Sequence, residues 1–348
     1  MNTQKRLELE TLKNIPVEKQ LEIMLNATSK QYNPSEIAAI GECLEKELRK
    51  GARERQATST GGKHPQLRKK MSEPGQEGRV LDAVGNHFDL SRGTYSKIRF
   101  VVEHGSEEQI QQMDKNKKID RVWREVRKDQ RIAKVQKQAE TFVDTDSVRI
   151  ICGDMREKML EIDEQSIDCI VTDPPWKREY LPLWNELGRL AERVLVPGGF
   201  LFAYTACFFL PDCLAGLSEH LEFYYPITIT FDTGYVVQQR NIRGKHKIVA
   251  IYNKPPRRLA ERCLDSWIKS SGAEKDLHPW QQPVDDLKDW IDACTRPGNI
   301  ILDPCCGSGS FLVLGRKMHR RVIGIDVDPQ AIETTKGRLE ELEIGKNS

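Results

Sequence analysis

The sequence has no long apolar run, little net charge and no regular cysteine pattern. None of its 348 residues lies in a stretch apolar enough to span a bilayer, and the first six residues lead into no apolar signal core. The nine cysteines are odd in number and scattered, without the CxxC spacing that begins many zinc sites. We therefore expect a reduced cytoplasmic protein with no transmembrane segment and no metal.

Two different residue patterns divide the chain. The first part has helical periodicity without strand signals, whereas short apolar runs alternate with helical stretches from about residue 147. The length allows two or three domains with buried cores. We predict a helical segment over 1–57, a basic flexible linker over 58–77, a helical region over 78–143 and an α/β domain over 144–348.

The region 78–143 has the pattern of two helices joined by a tight turn. Val84, Leu90 and Ile98 are spaced to pack the helices together, and Ser91 is a good N-cap for the second helix. With basic flanks, this pattern favours a DNA-binding helix-turn-helix followed by a charged connector helix, although an ordinary helical hairpin is the alternative. Its candidate DNA contacts are Arg92, Thr94, Tyr95 and Lys97. In pattern, residues 61–127 resemble the helical DNA-binding region of ParB-like partition proteins.

The α/β domain is expected to contain a mainly parallel sheet with helices on both faces. Its predicted strands are 148–151, 167–172, 200–204, 225–231, 247–252, 299–302 and 321–325. We expect strand 247–252 to be antiparallel to its neighbour. Ligands of such sheets bind at the carboxyl ends of the strands. The residues that follow each strand are therefore the first candidates for a functional site.

One strand end carries the sequence Asp173-Pro174-Pro175-Trp176. Two prolines end the apolar run before it, because proline cannot donate to a sheet ladder. A carboxylate acceptor beside a flat aromatic ring suits an amino group on a planar heterocycle. Taken alone, the quartet could equally be a strand-terminating turn whose tryptophan packs on the core.

A second strand end carries a glycine-containing turn that precedes a helix. Its residues are Asp303, Pro304, Cys305, Cys306, Gly307, Ser308, Gly309 and Ser310, and the next strand ends in Asp326, in position to bind ribose hydroxyls. The third glycine of a dinucleotide fingerprint and a phosphate-binding lysine are both missing from this turn. A nucleoside with a short charged tail is therefore favoured over a pyrophosphate ligand.

With these motifs in one order, residues 149–342 resemble the permuted, beta-class S-adenosylmethionine-dependent DNA amino-methyltransferases. The resemblance implies a Rossmann-like methyltransferase sheet in which the motif at Asp173, Pro174, Pro175 and Trp176 is catalytic. It places Asp154 beside the adenine of S-adenosylmethionine, the segment with His278, Gln282 and Pro283 at the methionine end, the 303–310 loop against the cofactor, and Asp326 on the ribose. Two positions depart from the family: Trp176 replaces a more usual Tyr or Phe, and Cys305 replaces an aromatic residue.

The resemblance implies methyl transfer to the exocyclic amine of a base flipped out of double-stranded DNA. Asp173 and the Pro174 carbonyl would accept the amine hydrogens, and Trp176 would stack on the base. Asp in the first place of the quartet favours adenine N6. The alternatives are cytosine N4, an RNA adenine methyltransferase, and a DNA-binding regulator whose methyltransferase domain is inactive.

Basic residues on both sides of the fifth predicted strand mark a second candidate DNA surface. We expect 253–277 to be a short target-recognition insert, and the candidate contacts are Arg240, Arg243, Lys245, Arg257 and Arg258. The predicted partner is double-stranded DNA in a prokaryotic or phage setting. The sequence leaves open whether the protein forms a homodimer.

Overall fold

A computed structural model describes residues 32–58, 75–272 and 282–346. They fall into two compact units, the first ending at Gln130 and the second beginning at Arg131. Most of the predicted linker, the segment before residue 32 and the predicted site residue His278 lie outside the described residues. Within those residues, no helix combines the length and apolar character needed to cross a membrane.

The first unit contains the predicted helix-turn-helix. Its helices are α1 (Pro34–Thr58), α2 (Gly75–His87), α3 (Arg92–His104) and α4 (Glu107–Asn116), followed by the start of α5 (Ile119–Ala139). Ser91 caps α3 as expected, because its Oγ accepts the backbone N–H of Thr94 at 3.1 Å. Gly85 is required before the turn, since a Cβ there would lie 2.8 Å from the Leu90 carbonyl oxygen. Val84 and Ile98 are buried between the helices.

The second unit is built on one eight-stranded sheet. Its strands are β1 (Val148–Cys152), β2 (Ile167–Thr172), β3 (Leu195–Thr205), β4 (Glu222–Val237), β5 (Ile242–Asn253), β6 (Trp267–Lys269), β7 (Ile300–Asp303) and β8 (Arg321–Asp326). Their order is β1-β8-β7-β2-β3-β5-β4-β6. The five strands from β1 to β3 are parallel, and β5 is antiparallel to both of its neighbours, as predicted for that strand.

Strands β3, β4 and β5 are each several residues longer than the sequence predicts. Strand β3 begins at Leu195, five residues before the predicted strand, so Pro197, Gly198 and Gly199 lie inside it. Gly198 takes a left-handed φ of 76°, and the backbone of Gly198 and Gly199 exchanges hydrogen bonds with Lys254. These bonds keep the chain in the sheet where Pro and Gly would otherwise end a strand. Strand β4 extends to Val237 and forms a long hairpin with β5.

Helices cover both faces of this sheet, which confirms the predicted fold class. They are α6 (Met155–Lys158), α7 (Pro182–Val194), α8 (Leu210–Ser218), α9 (Lys288–Cys294), α10 (Ser310–Lys317) and α11 (Pro329–Lys346). Alternate strand residues divide between two cores. Val171 and Phe202 pack with residues of α9, α10 and α11, whereas Ile170 and Leu201 pack with residues of α6, α7 and α8.

The last turns of α5 belong to the second unit. Arg131 and Lys134 both form ion pairs with Glu341 of α11, at 2.6 and 2.7 Å. Gly337 of α11 also lies so close to the Val135 carbonyl that a Cβ would come within 2.0 Å of its oxygen. The division between the units therefore falls inside the connector helix, before the predicted domain boundary at 144.

Candidate active site

The sequence Asp173-Pro174-Pro175-Trp176 follows the carboxyl end of β2, at the centre of the sheet. Thr172 pairs with Ala203, so Asp173 lies level with Tyr204 on the neighbouring strand. One carboxylate oxygen of Asp173, Oδ2, accepts a hydrogen bond from Gln282 Nε2. The other, Oδ1, is fully buried and receives no hydrogen bond of standard geometry from the described residues, although the Trp176 indole N–H interacts with this carboxylate. A buried acceptor without a donor is costly unless a ligand supplies one.

Burial also changes the acidity of Asp173. Desolvation raises the pKa of its carboxyl to about 6, against an ordinary value of 3.8. The positive charge of Lys247, the Gln282 hydrogen bond and the nearby Trp176 indole act in the opposite direction on this pKa. Asp173 is therefore an ionised acceptor at neutral pH and a protonated acid only below about pH 6.

Unpartnered buried polar atoms concentrate around this carboxylate. Among the described residues, four of the five such side-chain atoms are Thr172 Oγ1, Asp173 Oδ1, Trp176 Nε1 and the Tyr204 hydroxyl. All four residues lie at the carboxyl ends of the adjacent strands β2 and β3 or directly after β2. Proteins seldom leave buried polar atoms unpaired, so this concentration marks a site that a polar ligand completes.

The 303–310 loop lies beside this site, because β7 pairs with β2 in parallel. Asp303 ends β7 with 1% exposure, and burial raises its pKa well above the ordinary value. Its Oδ1 accepts the backbone N–H of Cys305 at 3.1 Å. Gly307 and Gly309 have φ of 50° and 75°, in the left-handed region that favours glycine. The backbone at Gly307 borders open space, with no atom within 4 Å of an added Cβ.

Helix α11 and the end of β8 hold this loop in place. Asp326 Oδ2 accepts the N–H of Gly307 at 2.7 Å, and the Thr335 hydroxyl donates to the Gly307 carbonyl at 2.7 Å. The buried guanidinium of Arg338 donates to the Ser308 carbonyl. Sequence reasoning missed Thr335 and Arg338. The available signal was their spacing with Ala331, which places three residues on the buried face of α11.

The other predicted loop side chains point into the protein. The hydroxyls of Ser308 and Ser310, both 5% exposed, lie 3.3 and 3.4 Å from Arg338 Nη1. Cys306 is buried in one core, and Cys305 packs at the edge of the other with its Sγ 3.8 Å from Met155 Sδ. Any contact of this loop with a ligand would therefore come mainly from its backbone, since these side chains are used in packing.

Asp154 and Asp326 are neighbours at the next two strand ends. Cys152 pairs with Asp326, and the Gly153 N–H donates to the Asp326 carbonyl at 2.8 Å. Asp154 caps α6 and forms an ion pair with Arg156; hydrogen bonds from that guanidinium lower the pKa of Asp154. Four strands adjacent in the sheet thus end in or near an aspartate, in the order 154, 326, 303 and 173.

Comparisons with known proteins agree with this arrangement. Residues 167–337 match the family model N6_N4_Mtase, described as DNA methylase. The type II methyltransferase M.HpaI of Haemophilus parainfluenzae is 25% identical over 55% of this chain and 74% of its own length. M.BglII of Bacillus subtilis is 22% identical over 53% of this chain and 67% of its own length.

The solved structure of PvuII DNA methyltransferase, described as cytosine-N4-specific, shares the fold. Its TM-score is 0.50, its identity 16%, and the match covers 58% of this chain and 91% of that one. Residues 167–337 are an N6/N4 DNA methylase domain. The match begins after the helical unit, so the resemblance of that unit to ParB-like proteins stays a prediction.

The methylase family identifies the cofactor as S-adenosylmethionine, and the strand ends fit it. The Asp326 carboxylate lies at the position from which an acid binds ribose, and the open backbone at Gly307 allows close approach. Of the segment predicted to hold the methionine end, Gln282 is 6% exposed and bonded to Asp173. Within the described ranges, no group of three His, Cys, Asp or Glu side chains could hold a metal ion.

The structure also places Lys247 in the candidate active site, where the sequence did not predict it. Its Nζ donates to Gln282 Oε1 at 2.8 Å and lies 5.4 Å from the centroid of the Trp176 ring. The sequence did contain a signal that the Lys247 side chain faces inward, because residues two apart in a strand share a face and Val249 and Ile251 are buried.

One predicted DNA contact in the helical unit is wrong. Tyr95 has 0% exposure, and its hydroxyl donates to Glu45 Oε1 at 2.8 Å, so its side chain belongs to the core. Arg92 remains exposed, 3.8 Å from Asp82, and Thr94 is half-buried beside Ser91. Lys97 is bound to Asp120 at 2.5 Å and stacks over the Trp123 ring at 5.2 Å.

The β4–β5 hairpin extends past the edge of the sheet at which Asp173 lies. Ile248 pairs with Thr205 at the end of β3, so 242–247 project about 20 Å beyond it at about 3.3 Å per residue. Arg243 and Lys245 are exposed on this extension, and Arg240 stacks over Phe208 at 4.9 Å.

Arg257 and Arg258 lie towards the opposite edge. The chain enters this segment after Asn253, which pairs with Phe200 at the level of Cys169 in β2. Arg257 is paired with Glu222, while Arg258 donates to the Cys294 carbonyl and stacks over Phe200 at 5.0 Å. The start of the predicted insert therefore faces away from Asp173, and these two arginines have structural partners.

Proposed function

We propose that this methylase transfers a methyl group from S-adenosylmethionine to the N6 amine of adenine in double-stranded DNA. The observation that carries the proposal is the buried, unpartnered Oδ1 of Asp173, whose acidity leaves it ionised at neutral pH. An ionised acceptor without a protein donor suits an exocyclic N–H. Asp rather than Ser in the first place of the quartet favours adenine, by the resemblance noted above.

An exocyclic amine is a poor nucleophile because its lone pair is delocalised into the ring. Asp173 Oδ1 would accept one amine hydrogen and the Pro174 carbonyl the other, drawing the nitrogen towards tetrahedral geometry. When bound, S-adenosylmethionine would supply an electrophilic methyl group on a sulfonium sulfur, and the S–C bond would break as the N–C bond forms. Asp173 then receives the proton that leaves the amine. Positioning of the amine by these two groups would supply much of the acceleration.

Trp176 is the proposed stacking surface for the flipped base. It is half-buried and packs against both cores of the domain, which fixes the plane of the ring beside Asp173. A fixed ring holds a planar base better than a mobile one, because less side-chain entropy is lost on binding. Extrusion of the base from the duplex brings its amine within reach of this pocket.

The identity of the methylated base is the direct test. Purified protein would be incubated with S-adenosylmethionine and unmethylated bacterial genomic DNA, and the nucleosides separated by mass spectrometry. We expect N6-methyladenine, and none from Asp173→Ala. N4-methylcytosine would refute the adenine assignment while keeping the chemistry, and methylation of single-stranded RNA in preference to duplex DNA would refute the DNA assignment. Absence of transfer to any of these would favour a regulator with an inactive domain.

We further propose that the hairpin, with Arg240, Arg243 and Lys245, contacts DNA next to the active site. Val236 and Ile242 lie near its tip with 63% and 55% exposure, so apolar contact surface accompanies the positive charge. Arg92, Thr94 and Lys97 of the helix-turn-helix are the second proposed contact. Binding affinity falls as the salt concentration rises. For each phosphate that the protein no longer neutralises, the magnitude of the slope of log affinity against log salt concentration should decrease by about 0.9.

Charge-removing variants of the full chain test these two surfaces separately. Arg243→Gln and Arg92→Gln are each expected to weaken binding to a mixed-sequence duplex and to flatten its salt dependence. Arg257→Gln is the matched control, because its guanidinium is paired with Glu222 away from the active-site edge. Equal effects of all three variants would refute the assignment of the hairpin as the DNA-facing element.

A further inference from the structure

Three adjacent strands place an acid, a phenol and an ammonium group on one face of the methylase sheet. Residues 169, 171, 200, 202, 249 and 251 line the same core, and continuing this alternation puts Asp173, Tyr204 and Lys247 on that face. Lys247 is carried there by β5, which runs antiparallel to β3 and so enters from beyond the carboxyl edge.

A single amide joins the two charged members of this row. Gln282 receives a hydrogen bond from Lys247 Nζ on its Oε1 at 2.8 Å and donates from its Nε2 to Asp173 Oδ2. Because each amide atom has a charged partner, the orientation of the Gln282 side chain is fixed. The same contact occupies Oδ2 and leaves Oδ1 as the acceptor without a partner.

We infer that Lys247 is a positioning residue for methyl transfer, which acts through Gln282 to orient the Asp173 carboxylate and keep it ionised. This inference rests on the proposed function of Asp173 as the acceptor of the amine hydrogen. It assigns a role to a residue of the hairpin strand that lies outside the quartet and the cofactor loop.

The surroundings of Asp173 give Lys247 this role. The other titratable groups that interact with the carboxylate are Tyr204 of β3, Asp303 of β7 and Cys305 after it. Burial raises the pKa of each of these three groups well above its ordinary value, which favours their neutral forms. Lys247 contributes the positive charge that opposes desolvation and favours the ionised carboxylate.

A direct titration of Asp173 tests this inference without any substrate. The full-length protein would carry ¹³C in its aspartate carboxyls, and the Asp173 signal would be the one that disappears in Asp173→Asn. In the wild type we expect a midpoint near pH 6. In Lys247→Met it should move upward by on the order of one pH unit, since a nearby opposite charge shifts a pKa by about that much or more.

Two variants separate a charge effect from a packing effect. Lys247→Arg keeps the charge and the donor, so it should restore most of the wild-type midpoint. Lys317→Met removes an exposed lysine at the far end of α10, next to the opposite edge of the sheet, and should leave the midpoint unchanged. An unshifted midpoint in folded Lys247→Met would overturn the inference. If that variant does not fold, Gln282→Leu removes the linking amide and should shift the midpoint in the same direction.

Methyl transfer provides the second measurement. With unmethylated bacterial genomic DNA, Lys247→Met should lose about fivefold more rate at pH 6 than at pH 8.5, because a rise of about one unit in the pKa of Asp173 leaves its carboxyl protonated in a larger fraction of molecules at pH 6. An equal loss at both pH values would indicate a structural role and overturn the inference. If the wild type methylates no nucleic acid, the proposed function fails, while the carboxyl titration still tests the link between Lys247 and Asp173.

Discussion

Replacement of Asp173 by Asn should make the methylase domain more stable at neutral pH, although it abolishes methyl transfer. Burial raises the pKa of this carboxyl to about 6, so the folded state binds the proton more tightly than the unfolded state does. Stability is therefore lost as pH rises from about 4, near the unfolded pKa, to about 6, near the folded pKa. Above that range the loss is constant, and the neutral amide of Asn avoids it.

The size of the effect follows from the same pKa. The difference between about 6 and the ordinary 3.8 corresponds to about 3 kcal/mol, because one pKa unit equals about 1.36 kcal/mol. For a unit of this size, about 3 kcal/mol corresponds to a rise of about 6–12 °C in melting temperature. The Asn side chain retains an oxygen that can accept the Gln282 hydrogen bond, so the native contact on that side is kept.

Calorimetry of the full chain between pH 4.5 and 8 measures this difference. The unfolding transition of the methylase unit is recognised as the one whose melting temperature rises when S-adenosylmethionine is added to the wild type. We expect Asp173→Asn to melt close to the wild type at pH 4.5 and well above it at pH 8. Asp163→Asn, which removes an exposed carboxylate of the same unit, is the control. A melting difference independent of pH would refute the reasoning, and so would a less stable Asp173→Asn at pH 8.

Three further predictions concern the loop and the helical unit. Gly309→Ala should weaken S-adenosylmethionine binding about tenfold, because φ is 75° and the new Cβ would meet Thr335 at 2.7 Å; calorimetric titration giving wild-type affinity would contradict this. Arg338→Met should also weaken S-adenosylmethionine binding about tenfold in that titration, since the charged donor to the Ser308 carbonyl is removed. Tyr95→Phe should destabilise the first unit by about 1–3 kcal/mol in urea unfolding, because buried Glu45 loses a donor, while DNA affinity of the folded protein stays unchanged.

The fold and the central motifs could be predicted because local patterns determine them. Strand β2 was predicted at its observed bounds, since an apolar run followed by two prolines has few other readings. The helix-turn-helix likewise depended on a cap at Ser91 and on packing positions such as Val84 and Ile98. The predicted start of β3 at residue 200 was too late, because long-range backbone pairing with Lys254 keeps Gly198 and Gly199 in the strand.

The contacts of individual side chains were harder to predict, because they depend on strand order and direction. Only an antiparallel β5 beside β3 brings Lys247 to Asp173 and takes Arg258 away from it. Tyr95 is different, since its spacing with Ile98 and Val101 already indicated a buried helix face. The prediction of a DNA contact relied on the Tyr95 hydroxyl, whereas the position of Tyr95 in the helix indicated that its side chain lies in the core.

The direction of β5 has a mechanical consequence. The strand begins at the exposed end of the hairpin with Arg243 and Lys245 and reaches Lys247 two residues later. The proposed DNA contacts Arg243 and Lys245 and the positioning residue Lys247 therefore lie in one continuous strand, with no loop between them. A displacement of the hairpin as it closes on a duplex would move the ammonium group relative to Gln282 and Asp173. We therefore expect duplex binding at the hairpin, as proposed above, to change the acidity of the Asp173 carboxyl.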